Sequence, residues 1–423
     1  MRLHLLVFPL LLNLCLSSCR LSGSYKGSAG GLAADGKEAI EMSEVIYHLN
    51  DSLTQLFLEI RNENLLYKYS DTSLSPYAHL KVSYTLCTGS DKKKCLDSAM
   101  LILRDKAGEE LLKERFVYAG FNIRAPYGGN YALLVAVQDL NKRTTYETEL
   151  EIQKRERSGR QNFLVLHKGK VAFRNSFCAG DSLKILLNSA KVSSLQVDCY
   201  FKDLAIAPPP FSTKGPPDTN LRPDSVFVLQ CDGGMLQIRM PARGFYHIRN
   251  SKESAEGLSL HSYLPAFPNI SNNDEMILCT RYIMSKEEFN ECREAENTKK
   301  AIDKFWLELG GSNERSRELL KRYYARVRDA NKYYSALAEG WKSDRGMIYI
   351  VFGEPNAVID KGDELDWIYG SPVNQSTTTF EFKKVNSPFS DNIYVLERSA
   401  FYRSTWSTAV DMWRQGIVYE GRQ

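Results

Sequence analysis

Six histidines in 423 residues, no Cys-x-x-Cys pair and no close Cys-His cluster leave no recognisable metal-ligand spacing. Phosphate-binding patterns are missing too: "CDGGM" at 231–235 lacks both the lysine and the flanking pattern of a P-loop. The sequence therefore calls for no metal and no cofactor. Charge of one sign is also scarce, with Lys+Arg at 55 against Asp+Glu at 51, and a net +4 spread thinly gives no reason to expect nucleic acid. After residue 16, no apolar run approaches the roughly twenty residues of a membrane-spanning helix. What remains is a chain that is 43% hydrophobic and 25% charged, enough to bury real cores, and long enough for two to four domains.

The N-terminus sets the compartment. Arg2 precedes an apolar run from Leu5 to Leu16, too short to span a bilayer and shaped like a signal-peptide core. The run ends in Leu16-Ser17-Ser18-Cys19, which resembles a bacterial lipobox; the resemblance implies that residues 1–18 are removed and that Cys19 carries lipid. Several acyl chains on one cysteine would hold the protein at a membrane without crossing it. Residues 19–37 are rich in Gly, Ser and Ala and read as a flexible tether. Lipoproteins displayed on the surface of Bacteroidota resemble one another in acidic residues just after the cysteine. Here Arg20 and Lys26 precede the first acid, Asp35, which favours the periplasmic face of the outer membrane.

Two strand-rich bodies follow. In residues 38–155, "LTQLFLEIR" and "YAHLKVSYTL" alternate in period two, and "NYALLVAVQDLNKRTTYETELEIQK" reads as two strands about an Asn-Lys-Arg turn. With no helix to cross over, the strands should pair antiparallel in a sandwich, and "APYGGNYALLVAV" resembles the late-strand entry of immunoglobulin-like and fibronectin-like domains. Residues 162–265 repeat the pattern in "SLKILLN", "LQVDCYF", "SVFVLQC", "MLQIRMP" and "GFYHIR". Between them, the proline-rich 207–224 segment is expected to be an exposed loop. Of the seven cysteines beyond Cys19, Cys87 and Cys95 flank a polar loop and form the one nameable candidate disulfide.

A Pro/Asn-rich linker over 266–284 leads to a helical period in 285–423. Ser285 with Glu288 makes a capping-box pattern; Ile302, Phe305, Trp306 and Leu309 share a helix face; Gly310-Gly311 stops that helix. A second helix is expected from about 313 to 337, with a basic flank that reads mainly as a solvated face. "GWKSDRGMIYIVFGEP" comes next. Its six apolar residues Met347 to Phe352 read as a strand buried on both faces, with Gly346 free to take a positive φ before it. "ELDWIYG", "TTFEFKK" and "NIYVLE" read as strands and "STWSTAVDMW" as a closing helix.

This last third resembles the GWxTD domain, found in lipoproteins of Bacteroidota. The pattern Gly-Trp-x-Thr-Asp-Arg-Gly is met at Gly340, Trp341, Asp344, Arg345 and Gly346, with Ser343 in place of threonine. The resemblance implies a multidomain chain: two immunoglobulin-like or fibronectin-like antiparallel β-sandwiches, then a C-terminal α+β GWxTD domain. It names no reaction. A hydrolase would need a base beside Ser343, yet His48, His79, His167, His247 and His261 all precede this domain; a glycosidase could draw on Asp344, Glu354 or Asp366 as paired carboxylates. The plainer expectation is a structural turn, with Arg345 bridging carboxylates and residues 340–346 available for docking. Four Asp-Ser-apolar triplets resemble Bacteroidota O-glycosylation sites, making Ser52, Ser98, Ser182 and Ser225 candidate acceptors. The function expected is a scaffold lipoprotein with protein partners in an envelope assembly: outer-membrane protein biogenesis, secretion or gliding-type machinery. The alternative is an envelope hydrolase acting on glycan or peptide.

Overall fold

The computed structural model describes residues 40–69, 75–88, 94–107, 115–214, 221–370 and 377–420. Cys19, the signal segment and the tether lie outside the described residues. No helix among those described is long and apolar enough to cross a membrane.

The first body holds β1 (Met42–His48), β2 (Leu53–Arg61), β3 (Tyr77–Thr88), β4 (Cys95–Lys106), β5 (Phe116–Arg124), β6 (Asn130–Asp139) and β7 (Thr144–Gln153). They form two antiparallel sheets, ordered β1-β2-β5 and β4-β3-β6-β7. The alternation seen in the sequence does the sorting. Leu56, Leu58 and Ile60 of β2 and Leu80, Val82 and Leu86 of β3 turn inward, and side chains of both sheets meet in one core. Cys87 and Cys95 occupy facing positions on β3 and β4 beside a bulge, and both are free thiols.

The second body holds β8 (Phe163–His167), β9 (Lys170–Val171), β10 (Ser176–Cys178), β11 (Ser182–Leu187), β12 (Ser194–Tyr200), β13 (Ser225–Gln230), β14 (Met235–Arg239), β15 (Gly244–Arg249) and β16 (Leu258–Tyr263). Its sheets are ordered β14-β11-β8-β9 and β10-β16-β15-β12-β13, again over a shared core. One pair departs from the antiparallel expectation: β10 runs parallel to β16. About eighty residues separate these strands, so no hairpin dictates their relative direction.

The C-terminal body combines α1 (Asn273–Thr280), α2 (Lys286–Glu294), α3 (Thr298–Gly310), α4 (Asn313–Tyr334), α5 (Asp344–Phe352) and α6 (Tyr402–Arg414) with an antiparallel sheet. That sheet is β17 (Ala357–Asp360), β18 (Glu364–Tyr369), β19 (Thr378–Lys384) and β20 (Tyr394–Leu396), in that order. The capping box at Ser285 and Glu288 forms as expected, and Gly311 ends α3 at φ 69°. Ile302, Phe305 and Trp306 are buried along α3.

Three expectations are corrected. Residues 347–352 are helical: Ser343 caps α5 by accepting the Gly346 N–H, and Gly353 at φ 81° ends it. Every residue of α5 is buried, so a helix submerged on all sides reads as the same unbroken apolar run that a central strand would give. The 266–284 linker contains α1, capped by Asn272, which buries Ile277 and Cys279 in the C-terminal core. Its short apolar content and lack of amphipathic period hid it from sequence reading. Finally, the start of the proline-rich segment is no exposed loop. Ala207 is buried in the C-terminal core, with Ile206 and Phe211 packed against it, so residues of the second β body complete the third.

Candidate functional site

The motif sits where α4 hands over to α5 through a 3-10 turn, Gly340–Lys342. The turn is held from below by α4. The Gly340 N–H donates to Ser335 Oγ at 2.8 Å and the Trp341 N–H to Asn331 Oδ1 at 3.2 Å. Trp341 is buried, and its carbonyl accepts the Tyr282 hydroxyl at 2.8 Å. Ser343 uses both faces of its hydroxyl: it donates to Gly340 O at 2.7 Å and accepts the Gly346 N–H at 3.0 Å. Both glycines are needed for close approach. A Cβ on Gly340 would lie 1.9 Å from Ala330 O, and one on Gly346 would lie 1.9 Å from Gly340 O. Gly346 therefore serves contact inside a helix, and the expectation of a positive φ there is corrected.

The clamp is also not the one expected. Among the described residues Arg345 bridges no carboxylate; Asp344 does the pairing, with the buried guanidinium of Arg398 and with the Leu396 N–H at 2.8 Å. Burial pushes the Asp344 carboxyl above its ordinary pKa, an effect that Arg398 only partly offsets. Arg345 lies between two aromatic faces instead, 5.0 Å from the Tyr334 ring centroid and 4.3 Å from that of Tyr394. Its Nη2 donates to Asn392 O at 2.8 Å and to that residue's side-chain oxygen. Burial brings its guanidinium down to a pKa of about 10.

Beside the motif runs an ionic chain that the sequence reading missed. Lys342, only 7% exposed, reaches Glu339 at 2.8 Å and Asp203 at 3.2 Å, and Arg243 pairs with Glu339 and with Glu275. Burial works to raise the Glu339 pKa, but Lys342 and Arg243 together outweigh it and hold the carboxyl below its usual range. The Glu339–Lys342 spacing was a readable signal; Arg243 and Asp203, from the second β body, were not. That body also supplies a strap over the motif: the Ala207 N–H donates to Lys342 O at 2.9 Å, Arg398 Nη2 to Pro208 O at 3.1 Å, and the Ser399 N–H to Pro210 O at 3.0 Å. Leu204 and Ala205 of the strap, with Tyr334, Leu337, Arg345 and Tyr394 among others, line a cleft of about 80 Å³.

The remaining candidates lie apart from this site. Ser52, Ser98, Ser182 and Ser225 are exposed positions in the two β bodies. Asp366 pairs with Lys361 on the small sheet, and Glu354 follows the far end of α5 from Asp344. A nine-residue helix is roughly 14 Å long, more than the separation of a glycosidase carboxylate pair. His261 reaches the neighbourhood of Glu339 but is wholly buried against Tyr263, and burial drops its pKa to about 4. No group of histidine, cysteine and acidic side chains suited to a metal occurs among the described residues.

Residues 244–415 match the family described as the GWxTD domain. This chain carries a GWxTD domain. The matched GWxTD region starts at β15, within the second β body, and not at residue 285. No curated protein matches the chain. Among solved structures, a β-glucuronidase of Bacteroides uniformis aligns at 9% identity over 27% of this chain and 13% of its own, with a TM-score of 0.18. β-Glucuronidase 2 of the same organism gives 11% identity, 35% and 14% coverage and a TM-score of 0.19. A β-galactosidase of Bacteroides fragilis, described as putative, gives 8% identity, 34% and 18% coverage and 0.18. The GWxTD chain spans less than a fifth of the length of these enzymes, and alignments this weak assign it neither fold nor chemistry.

Proposed function

We propose that this GWxTD protein is an outer-membrane lipoprotein, anchored through Cys19 on the periplasmic side, that acts as a binding component of a multiprotein envelope assembly. Two immunoglobulin-like or fibronectin-like sandwiches would act as spacers, and the GWxTD domain as the end that docks. The assemblies compatible with this reading are those of outer-membrane protein biogenesis, secretion or gliding. One observation carries the preference for binding over catalysis: the motif's reactive side chains are committed to internal contacts. The Ser343 hydroxyl both donates and accepts within the turn, and Asp344 is bound by Arg398 and the Leu396 N–H. A nucleophile needs a base, and a general acid needs a free proton position; neither is offered here. The envelope-hydrolase reading gains nothing from Asp344 and Asp366, each neutralised by its own cation.

The test is recovery of the tagged full chain from gently solubilised membranes. A partner at fixed stoichiometry, lost together with membrane association in Cys19→Ala, is the expected result. A chain that elutes alone, or a Cys19→Ala variant that still fractionates with membranes as a processed species, overturns the reading.

A further inference from the structure

Arg345 is 6% exposed, yet no carboxylate among the described residues pairs with it. Its Nη2 is occupied by Asn392, while Nε and Nη1 have no acceptor among the described residues. A buried guanidinium with open N–H groups is costly unless something supplies an acceptor. The two tyrosine faces stabilise the flat cation but accept no hydrogen bond from its Nε–H or Nη1–H groups. Arg345 lines the cleft at the first turn of α5, where the helix dipole also favours negative charge. The other lining cation is spoken for, because Lys342 already contacts Glu339 and Asp203. Leu204, Ala205, Leu337, Ile393 and Val395 give the cleft apolar walls, while the two carboxylates that also line it, Glu339 and Asp344, are paired with Lys342 and Arg398.

We propose that this cleft is a recognition site for a carboxylate carried on a short apolar group, with an open Arg345 N–H binding the carboxylate and the walls taking the hydrocarbon. Each of the two parallel-donor edges of the guanidinium includes Nη2, which Asn392 holds, so the carboxylate is met by a single charge-assisted hydrogen bond from Nε–H or Nη1–H. The cleft volume of about 80 Å³ fits one small apolar group and excludes a whole folded element. Two sources share this chemistry: a free branched-chain acid, and the terminal carboxylate of a polypeptide ending in an apolar residue. The inference deepens the binding role proposed above and rests on it only in treating the motif as a recognition element.

The experiment is calorimetric titration of the full chain with three probes: isovalerate, the tripeptide Ala-Ala-Leu as free acid, and the same tripeptide amidated. Binding of the free acids with loss on amidation is expected. Saturation by both free acids identifies a small-acid pocket, and saturation by the tripeptide alone identifies a chain terminus. Equal binding of the amidated peptide, or no binding of any probe, overturns the proposal. Arg345→Gln should weaken binding at least tenfold. Because that variant also loses the stacking between Tyr334 and Tyr394, Ala205→Trp serves as a second, filling the cleft from the strap without touching the arginine; unimpaired binding in it overturns the site. Loss of binding with envelope partners still recovered would sink the pocket alone. Retained binding with no partner recovered would sink the assembly reading alone.

Discussion

Replacing Gly346 by alanine puts two ordinary effects in opposition. Gly346 lies in the first turn of α5, where alanine is preferred over glycine by up to about 1 kcal/mol, chiefly because it has less unfolded-state freedom to lose. On those grounds the substitution stabilises. The structure reverses the sign. The new Cβ would lie 1.9 Å from Gly340 O, about 1.1 Å inside the closest approach real Cβ atoms make. That oxygen cannot retreat freely, because it accepts both the Ser343 hydroxyl and the Ser343 N–H, and Gly340 is itself pressed against Ala330 O. Relief therefore means moving α5 off the turn, which costs about 1–3 kcal/mol in overpacking and about 1 kcal/mol for each hydrogen bond broken. The net expectation is destabilisation by about 2–4 kcal/mol. All five tryptophans lie between residues 306 and 413 and are buried, so tryptophan fluorescence in urea reports this body and not the β bodies before it. A lowered midpoint with unchanged slope is the expected trace. An unchanged or raised midpoint would refute the close-approach account of the motif.

Two further outcomes follow from buried charge. Asp344→Ala strands the Arg398 guanidinium and should cost about 3–5 kcal/mol, whereas Asp344→Ala with Arg398→Met should recover most of the loss; a double-mutant cycle without coupling would contradict the pairing. His48 and His261 are held near a pKa of 4 by burial, so the unfolded chain takes up protons below about 6.5 while the fold does not; stability is complete above that pH and falls as pH drops toward 4, by roughly 3 kcal/mol for each. Glu44, lifted to about 7 by burial, acts in the opposite sense between about 7 and 4.5 and cancels about one histidine. Urea titrations at pH 7 and 4.5 should show a net loss, and equal or greater stability at pH 4.5 would be the contrary result.

Legibility in the sequence followed the range of the forces involved. The strands β2, β3, β6 and β7 were readable because one face of each is buried and the period of two survives intact. The Ser285 cap, the Gly311 stop and α6 were readable because their determinants lie within a few residues. The motif was locatable but its mechanics were not. A fully apolar run carries no period, so α5 looked like a strand. Arg398 lies 54 residues from Asp344, and Pro208 lies 190 from Arg398, distances over which no local pattern operates. The open N–H groups of Arg345 were equally invisible, since the sequence shows an arginine but not which acceptors face it.

The family match opening at Gly244 has a consequence for how such chains can be cut. In the five-stranded sheet, β15 sits between β16 and β12, and β12 precedes the matched region altogether. A fragment beginning at residue 244 would carry two central strands stripped of their neighbour, presenting an open row of backbone donors and acceptors to any other chain. It would also leave behind Ala207 and Phe211, whose side chains close the helical core. The heritable segment and the physically closed body thus have different edges, and swapping the C-terminal region between relatives would require carrying residues from Asn162 onward as one piece.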